Sequence, residues 1–313
     1  MRGPEPSTLL PADLRMLERG WLSSNSLLML GDPRGAVIVD TGYCTHRDQT
    51  LALVKGALGV GEQLRLIVNT HLHSDHCGGN ACLSEAFGCP IWTPPGHFQA
   101  AVNWDDAALS FVETGQRCER FTPSRALIPG DVLEQGGRGW KVHAAPGHDP
   151  HSLVLFEPDV GVLLSADALW EKGFGIVFPE VDEPTGQGFD EVAATLDLIE
   201  SLPVRVVIPG HGPMFSDIAG AIAVARDRLR FFRANPDRHA RYAAKALIKY
   251  HMLEIGRETR ANLMSWLTAT PIHRNMWAGY FANQTLDSWT AELLEELVRS
   301  DSLLADKENI YDH

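Results

Sequence analysis

The chain has 313 residues, a formal net charge of −13, 44% hydrophobic and 21% charged residues. These proportions exclude intrinsic disorder as a starting assumption, and the length suffices for one large unit plus a smaller one. No apolar run approaches the roughly 20 residues that span a bilayer, and the negative balance disfavours wholesale nucleic-acid binding.

Residues 1–20 carry Pro4, Pro6 and Pro11 and are predicted to run along the surface. Leu27-Leu28-Met29-Leu30 is too short for a signal-peptide core. The five cysteines (44, 77, 82, 89 and 118) are odd in number and lack CxxC spacing. That fits a reducing compartment, so the expected location is the cytoplasm.

Ser26–Leu30 and Ala36–Asp40 read as two strands around the turn Gly31-Asp32-Pro33-Arg34-Gly35. A helix capped near Thr45 carries Leu51, Leu53, Val54 and Leu58 towards Leu64–Asn69, a short apolar segment that reads as a buried strand. Directly after it comes Thr70-His71-Leu72-His73-Ser74-Asp75-His76-Cys77-Gly78-Gly79. His71 and His73 are two apart, so an extended backbone sends both rings to one side. Asp75 and His76 follow at a turn, and the glycine pair lets backbone pass close to whatever is bound. Imidazoles mixed with a carboxylate suit zinc, iron or manganese better than calcium or magnesium. Cys77 reads as a small buried thiol.

Ala81–Phe87 continues as helix and Cys89–Thr93 as strand. Residues 96–124 hold His97, Phe98, Trp104, Phe111 and Phe121 in broken helical spacing, read either as core aromatics or as an insertion at the rim of the site. Strands are expected at about 131–134, 139–144, 152–156 and 160–165, with Pro146-Gly147-His148 after the second and Asp167 after the last. Glu171–Gly188, rich in Gly and Pro and holding Phe174 and Phe178, is placed as a substrate-facing loop. Phe189–Ser201 is an amphipathic helix, and strand 204–208 leads into Pro209-Gly210-His211-Gly212.

From Ser216 onward the pattern is helical: 218–234, 236–253, 259–267 and 288–299, followed by a short hairpin near 302–311. Residues 220–260 hold ten Lys/Arg against four Asp/Glu, leaving the remainder near −19. A solvated basic helix face is one reading of this segment, and docking of an anionic substrate group is the other. Ala291–Leu297 is acidic, which argues against a DNA-reading helix.

The ordered set of H-x-H-x-D-H, His148, Asp167 and His211, each at a strand end, resembles the metallo-β-lactamase superfamily over roughly residues 21–215. The resemblance implies an α+β fold, a four-layer αββα sandwich spanning 1–215, with 216–313 forming a winged-helix-like helical domain. It implies that His71, His73 and His148 hold one divalent metal ion and that Asp75, His76 and His211 hold a second. Asp167 would bridge the two ions, zinc by first choice and iron or manganese otherwise. Asp75 and Asp167 would be the catalytic carboxylates around a metal-bridging hydroxide. Val39-Asp40-Thr41-Gly42 matches another element of the family, with Asp40 orienting ligand histidines. Where the family usually has Thr after the third ligand histidine, this chain has Asp149, so Asp149 and His151 become candidates for orienting ligands or moving protons.

Asp at 167, where many zinc β-lactamases have Cys, is similar to glyoxalase II and the metal-dependent lactonases. The implied activity is hydrolysis of a thioester or lactone carbonyl in a small-molecule substrate. The alternatives are a metal-dependent phosphodiesterase or ribonuclease, a mono-iron persulfide dioxygenase, and a non-catalytic metal-binding module. The helical tail is a candidate surface for homodimerisation.

Overall fold

The computed structural model describes residues 10–312. Its first sheet has the order β1 (Leu14–Leu17), β2 (Ser26–Met29), β3 (Ala36–Val39), β4 (Leu64–Val68), β5 (Ile91–Thr93) and β6 (Arg125–Ala126). The first three strands pair antiparallel and the rest parallel. The second sheet lines up β7 (Val132–Gln135), β8 (Arg138–Ala144), β9 (Leu153–Glu157), β10 (Val162–Ala166) and β11 (Val206–Pro209), antiparallel except for the β10–β11 pair.

Period-two alternation decides which face each residue serves. Leu27, Met29, Val37, Val39, Leu66 and Val68 face inward and meet Leu133, Trp140, Val142, Leu155 and Leu164 of the second sheet. Their neighbours Leu28, Ile38 and Ile67 face outward into Val54 and Leu83. Those two residues lie on α1 (Arg47–Ala57) and, beyond the short α2 (Ser74–Cys77), on α3 (Asn80–Phe87). On the far side, Val154, Phe156, Leu163 and Val207 pack against Val192, Leu196, Ala225 and Leu229. Strands buried on both faces read as continuous apolar runs, and the product is the expected αββα layering.

In chain order α3 is followed by α4 (Pro95–Asn103) and α5 (Phe111–Thr114), which pack with the first-sheet core, and by α6 (Phe178–Asp182), which packs with the helical tail. The far layer is α7 (Gln187–Ser201) and α8 (Ile218–Ala234). A separate core then forms among α9 (Pro236–Ile255), α10 (Arg260–Ala269), α11 (Pro271–Met276) and α12 (Leu286–Arg299), centred on Leu247, Leu263, Trp289 and Leu293. The expected terminal hairpin, β13 (Leu304–Ala305) with β14 (Asn309–Tyr311), gains a third strand, β12 (Arg257–Thr259).

Several local expectations change. Pro4 and Pro6 lie outside the described residues, but Leu14 and Leu17 are buried in an edge strand rather than laid along the surface. Trp104, Phe111 and Phe121 belong to the core against the first sheet, with Trp104 and Phe121 in edge contact at 5.4 Å. α11 and the π-helical turn Trp277–Phe281 were not foreseen. The basic segment is largely neutralised. Arg226 pairs with Asp197 and Glu200 at 2.7 and 2.6 Å, Arg233 with Asp190, and Arg241 and Lys245 with Glu296 at 2.7 and 3.0 Å. Among the described residues no helix is long and apolar enough to cross a membrane.

Trp140 is fully buried between the sheets. Trp140→Ala is expected to cost about 3–5 kcal/mol through lost burial and the cavity left behind. Urea denaturation of the two proteins measures it, and a cost under about 1 kcal/mol would contradict this packing.

Candidate metal centre

The H-x-H-x-D-H loop leaves the C-terminal end of β4 and passes at once into α2, with His73 as its N-cap. Gly78 and Gly79 have a different purpose from the one expected. A Cβ on Gly78 would lie 2.3 Å from the Cys44 nitrogen, and one on Gly79 would lie 2.5 Å from the Thr41 oxygen. The pair presses α2 against the 41–44 loop rather than against a ligand. Cys77 is buried as expected, and burial pushes its thiol pKa well up, so it stays protonated.

Three backbone features hold the donors in place. Asp40 and Ala166, at the ends of β3 and β10, both take positive φ (59° and 46°), a conformation that costs non-glycine residues on the order of 1–3 kcal/mol. The β10–β11 register shifts between Leu164 and Ala166, which delivers Asp167 into the site. A Cβ on Gly210 would sit 2.1 Å from Asp167 Oδ1, so only glycine fits between that carboxylate and His211.

Asp40 is a hub. Its Oδ1 accepts the Thr70 backbone N–H at 2.9 Å, and its Oδ2 accepts the Thr70 hydroxyl at 2.7 Å and His76 Nδ1–H at 2.8 Å. Because the Thr70 proton is committed to Asp40, His71 Nδ1 must donate to Thr70 Oγ1 at 3.1 Å, which leaves its Nε2 lone pair free. His148 Nδ1 donates to the Ile176 carbonyl, so its Nε2 carries the lone pair and faces His73 Nδ1 at 2.8 Å. Hydrogen bonds to the outer nitrogen thus orient His71, His76 and His148 with the other nitrogen aimed inward.

The structure brings all seven sequence-predicted donors together. His71, His73 and His148 form one group able to hold a metal ion, and Asp75, His76, Asp167 and His211 form another, with donor atoms within 4.8 Å of one another. Asp167 reaches both groups: its Oδ2 is 3.4 Å from His148 Nε2, and its Oδ1 is 3.5 Å from His76 Nε2. His71 Nε2 and His76 Nε2 are buried without a hydrogen-bond partner. Buried polar atoms left this way cost free energy unless something binds them, and a pair of cations fits this donor set.

The electrostatics agree. Burial, reinforced by neighbouring imidazoles, holds the His71 pKa well below its usual range and brings His73 down to about 3, so both keep the neutral form that binds metal. At His76 burial opposes the charged form, but Asp40, Asp75 and Asp167 outweigh it and drive the pKa well up. Burial alone would raise Asp75, yet His76 and His211 bring it down to about 2. This concentration of ionised carboxylates calls for positive charge at its centre.

Asp149 is buried beside the site, with its Oδ2 3.8 Å from His73 Nε2 and 3.8 Å from His97 Nδ1. The backbone N–H of His151 donates to Asp149 Oδ1 at 2.7 Å, while its ring packs over Gly96 and edge-on to His97 at 4.6 Å. Of the aromatic pair on the 171–188 segment, Phe178 contacts the His73 ring at 4.7 Å, whereas Phe174 lies in the core beneath the second sheet.

Three contributors escaped the sequence reading. Trp170 Nε1–H donates to Asp167 Oδ1 at 3.2 Å, and Trp21 stacks on His211 at 5.2 Å. Tyr250, from α9, places its hydroxyl 3.2 Å from both Asp75 Oδ2 and His211 Nε2. Burial, with Asp75 and Asp167 close by, raises its pKa well above the usual value and keeps it a neutral donor. Trp170 stands three residues after Asp167 in the chain, which is a usable local signal; Tyr250 and Trp21 carry none.

The family described as the metallo-beta-lactamase superfamily matches residues 19–211. The chain belongs to that superfamily. It is 27% identical over 232 residues to the hydroxyacylglutathione hydrolase of Synechococcus sp. (strain JA-3-3Ab), covering 73% of this chain and 77% of that protein. It is 29% identical over 212 residues to an acyl-coenzyme A thioesterase of Gallus gallus, covering 61% and 73% of the two chains. The solved structure of a metallo-beta-lactamase family protein from Thermus thermophilus superposes with a TM-score of 0.57 at 21% identity, over 98% of this chain and 100% of that one. That match extends the shared fold through the helical tail. With both donor groups intact, this superfamily member is a metal-dependent hydrolase.

Asp40→Ala removes the carboxylate that holds His76 and Thr70, and metal affinity is expected to fall about 10–100-fold. Competition with a chromophoric chelator measures it, and unchanged affinity would remove Asp40 from this role.

Proposed function

We propose that the protein hydrolyses an ester-like carbonyl, a thioester or a lactone, at a pair of divalent cations. His71, His73 and His148 hold one, Asp75, His76 and His211 hold the other, and Asp167 reaches across. The observation that carries this reading is that two donor groups meet at Asp167 on the floor of an apolar cleft. Imidazole and carboxylate donors favour zinc, with iron and manganese as competitors. When bound, such a pair lowers the pKa of water to around 7 and polarises the carbonyl oxygen.

The chain's own groups do the remainder. Asp75 and Asp167 border the cleft; in this reading they take up the proton released as water attacks and return it to the leaving thiolate or alkoxide. Tyr250 supplies a neutral O–H donor at the cluster edge for the oxygen on which negative charge develops. Asp149, bonded to the His151 N–H, keeps the outer nitrogen of His73 facing a carboxylate. The phosphodiester alternative asks for a cationic track, and the basic helices are paired with acids instead. The five free cysteines support placement in a reducing compartment, the cytoplasm.

Metal analysis should return two ions per chain, and turnover of thioesters or lactones should vanish with chelator and with His71→Ala, returning on metal addition only in the parent. One iron per chain with oxygen uptake on a persulfide, or cleavage of bis-aryl phosphates alone, would replace this reading. Tyr250→Phe should lower kcat about 10²-fold while metal content stays at the parent's level. Loss of metal instead would make Tyr250 a group that positions Asp75 and His211.

A further inference from the structure

The cleft above the donors has a volume of about 160 Å³, on the order of ten times the space one water needs. Its wall away from the metal centre is made by Ile176 and Phe178 on one side and by Tyr242, Ala246, Leu247 and Leu253 of α9 on the other. Apart from the donor residues, Lys249 is the single charged side chain lining it among the described residues. That ammonium is already committed, donating to the Ser302 carbonyl at 2.7 Å and pairing with the Asp312 carboxylate. Several polar lining atoms are engaged in the same way. Thr114 Oγ1 donates to the Ser110 carbonyl at 2.8 Å, the Gln116 amide oxygen accepts from Ser74, and Trp170 Nε1 is held by Asp167.

We propose that this cleft selects an uncharged, apolar acyl group of several carbons, and that α9 from the helical tail is its specificity wall. The proposal rests on the hydrolase reading above and narrows it to one substrate class. A carboxylate at the far end of the acyl group would lose its hydration with no uncommitted cationic side chain among the described lining residues to meet it, whereas each buried methylene adds favourable transfer. The charged ends of a glutathione conjugate therefore have no place inside, and the leaving group exits past the half-exposed Trp21. Asp312 acts as a charge guard, since without it Lys249 would face the cleft unpaired.

The test uses the full metal-loaded chain and N-acetylcysteamine thioesters, which share one uncharged leaving group, from acetyl to octanoyl, together with the succinyl thioester. The expected kcat/KM rises about fourfold per methylene until the cleft is full, with succinyl at least about tenfold below butyryl. Ala246→Phe should shrink the octanoyl-to-acetyl ratio of kcat/KM by tenfold or more, with metal content checked to show an intact centre. Asp312→Asn should raise the succinyl-to-butyryl ratio severalfold by freeing Lys249. Equal kcat/KM for acetyl and octanoyl, a preference for succinyl or glutathione thioesters, or selectivity that tracks the thiol at constant acetyl would each overturn this inference alone. Turnover of lactones but of no thioester would also overturn this inference alone, and absence of turnover for thioesters and lactones alike would overturn the hydrolase reading and this one with it.

Discussion

Three buried carboxylates, Asp40, Asp75 and Asp167, surround one imidazole, His76, with little exposure to solvent. Ionised groups so placed repel one another and are expensive to desolvate unless positive charge lies among them. The surrounding architecture is arranged to hold that concentration of charge. Two strand ends accept strained backbone at Asp40 and Ala166, a bulge redirects β10, and Gly210 leaves room for the Asp167 carboxylate. Apolar packing on both faces of both sheets is what makes such local cost tolerable. Asp40 plays a second part by fixing the Thr70 and His76 hydrogen bonds, which in turn set the tautomer of His71.

The helical tail is tied into the same centre. α9 reaches the donors through Tyr250 and is clamped to the sandwich by Glu254, whose carboxylate accepts the Tyr43 hydroxyl at 2.9 Å and the Arg117 guanidinium. One helix thus supplies a donor beside the metals, a wall of the cleft and an anchor to the catalytic layers. Its basic residues, which in the sequence look like a docking face, bind acids on α12 and the C-terminal segment, while Arg226 and Arg233 of the preceding α8 bind acids on α7. Charge pairing of this kind contributes little at the surface and leaves no long-range positive field to draw in polyanions.

The sequence determined much of this by itself. Apolar runs of the right length gave the inner strands, because a strand buried on both faces can hold little else. The H-x-H-x-D-H donors were legible because metal ligands are particular residue types crowded after a buried strand, and His148, Asp167 and His211 were legible through the resemblance to the family's ordered set. Asp40 was legible too, through the resemblance of Val39-Asp40-Thr41-Gly42 to an element of the family. Tertiary structure alone decided the rest. Gly78-Gly79 looked like a ligand cradle, but the neighbour needing the space is the 41–44 loop, which no local pattern specifies. His151 looked close to the chemistry in the chain, yet the turn after His148 sends its ring to Gly96 and His97. Trp21 and Tyr250 lie about 50 and 175 residues from Asp75 and meet it or its neighbour His211 only after the layers close. Spacing along the chain encodes which face a side chain leaves from; which distant surface it then meets depends on how whole layers pack.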